Sequence, residues 1–341
     1  MMTDLINLNK YKDCRSLRYY GGASCGKIGI VYNGENYLLK FPGSLKSTQI
    51  KNIDTSYSNS STSEYIGSHI YAFLGIDVHD TFLGLYDDKI VVACKDFLAD
   101  NERLWDFAVL KTSMPIYDAE GDVLTGSSTS LTETLSVIES HPDLGEIRND
   151  LRERFWDMFV VDALIGNPDR NNGNWGIISD GKTFRLSPVF DNGSSFHFRK
   201  SDAQLQKMLG DKKEIQIQAY KGRVCIFEEE GKRINPYKYI SSLQNPDCNS
   251  AIKRIVPRIE PNKIYQLVDE TPGLSDIRKA FCKETLKIRM EEILVPVYKN
   301  ILCSEKEKLQ ESHFNKFLKS QQSKKESGLN QIAEKDYEPE I

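Results

Sequence analysis

The chain has 341 residues, 39% apolar and 28% charged, with a formal net charge of −4. That is the composition of a folded globular protein large enough for two or three lobes, and its charge gives no reason to expect direct nucleic-acid binding. No run approaches the roughly 18 uninterrupted apolar residues of a membrane span, and the opening MMTDLINLNKYKD lacks the basic, apolar, small-residue order of a cleaved signal peptide.

In chain order, the first feature is GGASCGKIGI, residues 21–30. Gly21 to Lys27 has the spacing of a phosphate-cradling P-loop, but a P-loop continues with Ser or Thr and a helix. Here Ile28 follows, and KIGIVY, Asn33-Gly34 and YLLKF spell strand, two-residue turn and strand. The pattern predicts instead a glycine-rich loop (Gly21, Gly22, Ala23, Ser24, Cys25, Gly26, Lys27) opening a hairpin over Lys27–Phe41, with its amides available to phosphates.

After a Ser/Thr-rich stretch, apolar residues at 66, 70, 73 and 74 follow helical spacing. Ser61-x-x-Glu64 at that helix start reads equally as a capping box. TFLGLY and KIVVACKDF are strands joined at Asp87-Asp88, closing a small β-rich lobe near residue 98. The remainder is mainly helical. Helices are predicted at 102–111, 131–140, about Asp150–Ile165, 201–209, 248–256, 261–268 and 275–300, with 115–130 as a loop holding a small hairpin. Gly166 and Pro168 stop the Asp150–Ile165 helix, and WGII, SDGK and TFRLSPVF form another hairpin. From Ser304 the chain is charged and apolar-poor, as in an exposed helix that frays.

The seven cysteines show no C-x-x-C pair, which fits reduced thiols better than a disulfide frame or zinc site. The five histidines are isolated, which argues against a histidine-ligated metal, and no G-x-S-x-G elbow supports a serine hydrolase.

The chemistry concentrates in GNPDRNNGNWGII and LSPVFDNGSSF. Phosphoryl transfer needs a carboxylate to orient an attacking hydroxyl and oxygen ligands for a divalent cation. D-x-x-x-x-N followed by a hairpin and a second Asp is how kinases supply them. Asp169, Asn174 and Asp191 have that order. Lys40, on the hairpin's second strand, is then the candidate phosphate contact and Glu64 its candidate partner. Cys94, Asp96 and Leu98 stand where a hinge would meet adenine.

LIGNPDRNNGNWGI, LSPVFDNGSSF and YLLKFP together resemble the HipA-like serine/threonine kinases, over roughly residues 15–300, and among them the small cell-translocating type. The resemblance implies an α+β, two-lobed protein-kinase-like fold related to phosphoinositide kinases, with a small mixed β-rich N-lobe and a larger helical C-lobe. The division expected is 1–98, 99–303 and a charged, partly disordered tail over 304–341. It also implies ATP with Mg2+ and Ser/Thr phosphorylation of protein substrates, autophosphorylation included. Position by position, Asp169 becomes the catalytic base, Asn174 and Asp191 the metal ligands, and Lys40 the phosphate-binding lysine. Asn171 stands where the family has histidine. Ser320, Ser323 and Ser327, in the basic KSQQSKKES, are the candidate self-acceptors. A lipid or small-molecule kinase of the same fold, and a nucleotide-binding module without catalysis, are the rival readings. Residence in the cytoplasm, or export without a recognisable signal, is the expected localisation.

Overall fold

The computed structural model describes residues 5–18, 26–43, 58–113 and 126–333. Its first part is a five-stranded sheet in the order β1-β4-β5-β3-β2. Ile6–Asn7 (β1) runs parallel to β4, and Lys27–Tyr32 (β2) pairs antiparallel with Glu35–Lys40 (β3). Their turn is Asn33-Gly34, with φ of 49° and 82°, the positive pair that suits a twisted two-residue hairpin. Ser60–Phe73 (α1) follows, then Thr81–Tyr86 (β4) and Lys89–Lys95 (β5), joined by Asp87 and Asp88 with φ of 46° and 58°.

The alternation of side chains along strands gives this sheet two different faces. Leu39, Val91 and Ala93 pack with Leu8 and Ile30 on one. Leu38, Leu83, Val92 and Cys94 lie on the other, with Tyr65 of α1 against them. Lys40, two residues beyond Leu38, shares this second face and ends its strand beside α1.

Arg103–Asp106 (β6) is a strand, although the sequence predicts helix from 102, and the helix Phe107–Thr112 (α2) begins only afterwards. The reason is long-range: β6 pairs with Gly176–Ser179, and Asp106 accepts the Val109 N–H at 2.9 Å as the cap of α2. Most of the loop predicted over 115–130 lies outside the described residues. Leu131–Ser140 (α3) matches its prediction, and Arg148–Ile165 (α4) starts two residues before its own. Although the sequence shows one apolar face on α4, every residue from Met158 to Ile165 is buried, so α4 is the axis of this half and not a surface helix. Gly166, with φ 69° in the left-handed region, ends it.

Gly176–Ser179 (β7) and Phe184–Leu186 (β8) complete a three-stranded sheet ordered β6-β7-β8. Asp202–Leu209 (α5) is followed by Lys212–Gln216 (α6), which runs into a π-helical turn over Ile217–Lys221. The small hairpin Glu228–Glu229 (β9) and Lys232–Arg233 (β10) comes next, then Pro236–Ser242 (α7). The sequence reading missed α6, α7 and this hairpin. Pro246–Ile255 (α8) and Asp276–Arg289 (α10) pack on α4, and Pro261–Glu270 (α9) packs on α10 and α1.

A π-helical turn, Met290–Leu294, leads into Val295–Ala333 (α11), so the predicted 275–300 helix is interrupted and the tail begins inside α11. Pro296 explains the irregularity, since it lacks the N–H that the carbonyl four residues earlier would accept. Residues 305–311 of α11 are exposed, as the sequence suggests. Among the described residues no helix is long and apolar enough to cross a membrane.

One close approach positions the site. A Cβ at Gly67 of α1 would lie 2.8 Å from the Cβ of Asn192, so only glycine lets the segment after β8 lie this near α1.

Candidate active site

Lys40 is placed by the last step of β3, and Glu64 by the first turn of α1. The Lys40 ammonium donates to Asp191 Oδ1 and lies 3.4 Å from Glu64 Oε1. Burial alone would lower its pKa, but Asp191 and Glu64 outweigh burial and raise it, so the amine stays charged. Burial likewise opposes ionisation of Glu64, yet Lys40 and then His79 hold its pKa well below the usual carboxylate range. The Asn192 N–H also donates to this carboxylate. The alternative capping box does not form: the Ser61 hydroxyl donates to the Lys40 carbonyl at 3.2 Å, and Asn59 precedes α1 without a side-chain cap. Lys27 sits directly opposite Lys40 in the β2–β3 register.

The loop after α4 is held from below. Asn167 donates to Asp162 Oδ1 at 3.1 Å and accepts the Asp169 N–H at 3.1 Å. The Asp169 carboxylate, half-buried, accepts from Asn171 Nδ2 at 3.0 Å and from the Ser194 hydroxyl at 3.4 Å. Asn171 also accepts the Gly173 N–H at 2.9 Å, so the residue in the family's histidine position clasps the loop around Asp169. Asn174 Nδ2 donates to the Asp169 carbonyl at 2.7 Å, which leaves the amide oxygen as an acceptor.

Arg170 is the residue that sequence reasoning missed. Its guanidinium makes two bonds to Asp162, at 2.8 and 2.9 Å, and donates to the Asn174 carbonyl at 2.9 Å and to Asn192 Oδ1 at 2.6 Å. It also donates to the Phe190 carbonyl. One buried side chain thereby fixes the Asp169–Asn174 loop against the segment carrying Asp191. Tyr71 of α1 donates to the same Asp162 at 2.8 Å. A charged residue directly after Asp169 was a visible signal, but its partners were not.

The other predicted positions divide. Gly21, Gly22, Ala23, Ser24 and Cys25 lie outside the described residues, whereas the Gly26 carbonyl accepts the Phe41 N–H at 3.1 Å. The Cys94 thiol is buried on the Lys40 face of the sheet, and burial pushes its pKa up. Asp96 and Leu98 are tied to their own chain: Leu98 donates to Asp96 Oδ1 at 3.0 Å, and Arg18 donates to the Leu98 carbonyl at 3.0 Å. Phe97 between them packs on Phe190, with ring centroids 5.7 Å apart, and so links the expected hinge segment to the segment carrying Asp191. Ser320, Ser323 and Ser327 fall within α11, far along the chain from this cluster.

Residues 21–261 match the family described as the HipA-like C-terminal domain. The chain is 38% identical over 278 residues to serine/threonine-protein kinase CtkA of Helicobacter pylori, covering 81% of this chain and 82% of that protein. The crystal structure of the Helicobacter pylori proinflammatory kinase CtkA superposes with a TM-score of 0.80 at 36% identity, over 88% of this chain and 98% of that one. HipA of Shewanella oneidensis, solved with HipB and operator DNA, aligns at TM-score 0.50 and 13% identity over 83% and 69% of the two chains, a likeness of fold. The chain belongs to the HipA-like kinase family.

Proposed function

We propose that this family member is a serine/threonine-protein kinase that transfers the γ-phosphoryl group of ATP to protein hydroxyls, with Asp169, Lys40, Asn174 and Asp191 as its machinery. The supporting observation is their convergence. Lys40 is bonded to Asp191, Asn174 is bonded to the residue of the base, and Arg170 locks the two loops together.

Asp169 then accepts or orients the proton of the attacking hydroxyl, with Asn171 and Ser194 fixing its two carboxylate oxygens. Lys40 meets phosphate oxygens, which requires it to exchange its present Asp191 partner while Glu64 continues to hold the ammonium in place. That exchange releases the Asp191 carboxylate. With the Asn174 amide oxygen it makes an all-oxygen donor set, the kind that suits Mg2+ and other hard cations. Such a cation, when bound, neutralises charge on the phosphate oxygens. Since phosphoryl transfer leaves little covalent work to the protein, positioning and electrostatics carry the catalysis.

We assign the nucleotide-binding lobe to residues 1–98, the catalytic lobe to 99–303 and the tail to 304–341. Gly21–Lys27 is the phosphate-covering loop of this reading, and the tail serines are its self-acceptors. The test is ATP-dependent mass gain on the purified chain, with sites mapped, in wild type and Asp169→Asn side by side. Phosphate on serine or threonine in wild type alone supports the proposal. Equal gain in both proteins, or transfer only to an added lipid, overturns it.

A further inference from the structure

We propose that Glu64, His79 and Cys94 form a binding site for a zinc-class divalent transition-metal ion, and that filling it withdraws Glu64 from Lys40 and switches phosphoryl transfer off. The second half rests on the kinase reading above; the first half does not.

Three elements supply the ligands. Glu64 comes from α1, His79 from the link between α1 and β4, and Cys94 from β5, where the strand alternation puts it on the Lys40 face. One ligand atom from each lies within 4.8 Å of the others, and all three residues are buried. The spread is close to what a metal needs. With bond lengths of about 2.0–2.3 Å, neighbouring ligand atoms in a tetrahedral site are about 3.3–3.8 Å apart, so the cluster has to draw in by about an ångström.

The donor chemistry selects the ion. A thiolate, an imidazole and a carboxylate suit zinc and its neighbours, and the all-oxygen pair Asn174 and Asp191 suits magnesium. The two sites therefore discriminate by softness. Glu64 Oε1 is buried without an aligned hydrogen bond and stands between two ionic partners, the Lys40 ammonium at 3.4 Å and His79 Nε2 at 3.0 Å, so a metal beside His79 draws on the same oxygen that faces Lys40. The Ser68 hydroxyl lies 3.2 Å from the same His79 Nε2 and accepts from Asn192 at 3.1 Å, so a metal at Nε2 displaces that contact and leaves Ser68 to Asn192.

The cluster also borders a cavity through His79. A cavity of about 670 Å³ beside the C-terminal end of α1 is lined by His69, Asp77, His79 and Asp80. His79 is thus both a wall of that cavity and a member of the cluster.

Binding balances simply. The Cys94 S–H bond breaks, a metal–sulfur bond forms, and the proton leaves to solvent. Glu64 enters as the carboxylate it already is, the His79 ring proton that faces Glu64 moves to Nδ1 so that Nε2 offers its lone pair, and water fills the fourth position. A divalent ion with one carboxylate and one thiolate is neutral, so Lys40 is not repelled; it keeps Asp191 but loses Glu64. No sequence spacing announces this site, because its members are 15 residues apart at each step and belong to different elements.

The test uses the full chain, stripped with chelator, in excess Mg2+ and with Zn2+ or Co2+ as probe. The expected result is one bound equivalent, one proton released per Zn2+, and a thiolate-to-metal charge-transfer band with Co2+. The band disappears in Cys94→Ser, and affinity falls at least tenfold in His79→Gln, which serves as the second variant if Cys94→Ser does not fold. Phosphoryl transfer by wild type falls in step with occupancy, while each variant keeps its own metal-free rate at the same Zn2+ concentration. Absence of stoichiometric binding, or a band that survives Cys94→Ser, overturns the site. Binding without loss of transfer overturns the switch. Binding by a protein with no transfer activity at all would instead sink the kinase reading and leave the site standing.

Discussion

Two cations hold the segment around Asp191, Arg170 through the Phe190 carbonyl and Asn192 and Lys40 through Asp191 itself, and they are held in opposite ways. Arg170 and its partner Asp162 are 3% and 8% exposed, and the guanidinium spends its donors on one carboxylate, one side-chain amide and two carbonyls. Lys40 is 15% exposed and has two carboxylates, of which Glu64 is 2% and Asp191 31% exposed. The first arrangement is a fork whose geometry matches every partner, with nothing left to exchange. The second is a point charge between two anions, one of them within reach of solvent. Arg170 is the frame, and Lys40 is the part that, in the proposed function, changes partners when a triphosphate arrives.

The largest effect should come where frame and machinery meet. Asp169 is fixed by Arg170's loop but, in the proposed function, acts on the substrate, so Asp169→Asn should lower turnover by about 10²–10⁴-fold, the usual range for a positioned acid–base group. Nucleotide affinity, measured by titration calorimetry, should hardly move. Substantial residual turnover would remove Asp169 from its role.

The next pair of variants tests the distinction itself. Asp162→Ala leaves Arg170 buried without its carboxylate and should destabilise the chain by about 3–5 kcal/mol in denaturant titration. Glu64→Gln leaves Lys40 its bond to Asp191 and should cost about 1.5–3 kcal/mol, the worth of a contact to a charged group, while reducing transfer at least tenfold. Equal stability losses in the two variants would mean that Lys40 and Arg170 are both frame.

This division also marks what was legible in the sequence. Asp169 to Asn174 is a local step in one loop, and the turns at Asn33-Gly34 and Asp87-Asp88 carry their own backbone chemistry, so both could be read directly. The partners of Arg170 come from α4, from its own loop and from the segment after β8, with the Tyr71 ring of α1 5.9 Å from the guanidinium, and no local pattern joins Tyr71, Asp162 and Asn192. Glu64 shows the same competition in miniature: Ser61-x-x-Glu64 offers a local cap, and the longer-range Lys40 takes the carboxylate instead. Arg103–Asp106 was misread for a related reason. Its apolar spacing runs on into α2, and only pairing with Gly176–Ser179, far along the chain, makes it a strand. Asp191, the proposed cation ligand, was legible by order, but its φ of 59° and its contact with Lys40 were not.

A third buried cation-former, His197, sharpens the contrast because it is held neutral. It packs edge-on against Phe281 with ring centroids 5.0 Å apart, and its Nε2 is 3.2 Å from Gln218 Oε1. Burial, and then the nearby Arg223 and Arg289, push its pKa well below the ordinary histidine value. The unfolded chain therefore takes up a proton near pH 6.5 that the folded chain refuses. This group's contribution is complete above that pH and is lost as pH falls from about 6.5 toward the folded value, at up to about 1.4 kcal/mol per unit. His197→Asn, chosen because asparagine tolerates the positive φ of 54° there, removes that slope. His69 and His141 are shifted the same way and contribute the same sign in both proteins, so the informative quantity is the difference between wild type and variant. That difference, from denaturant midpoints at pH 7.0 and about pH 5.5, should shift toward the variant on acidification; a difference independent of pH would show that His197 takes its proton in the folded chain as readily as in the unfolded one.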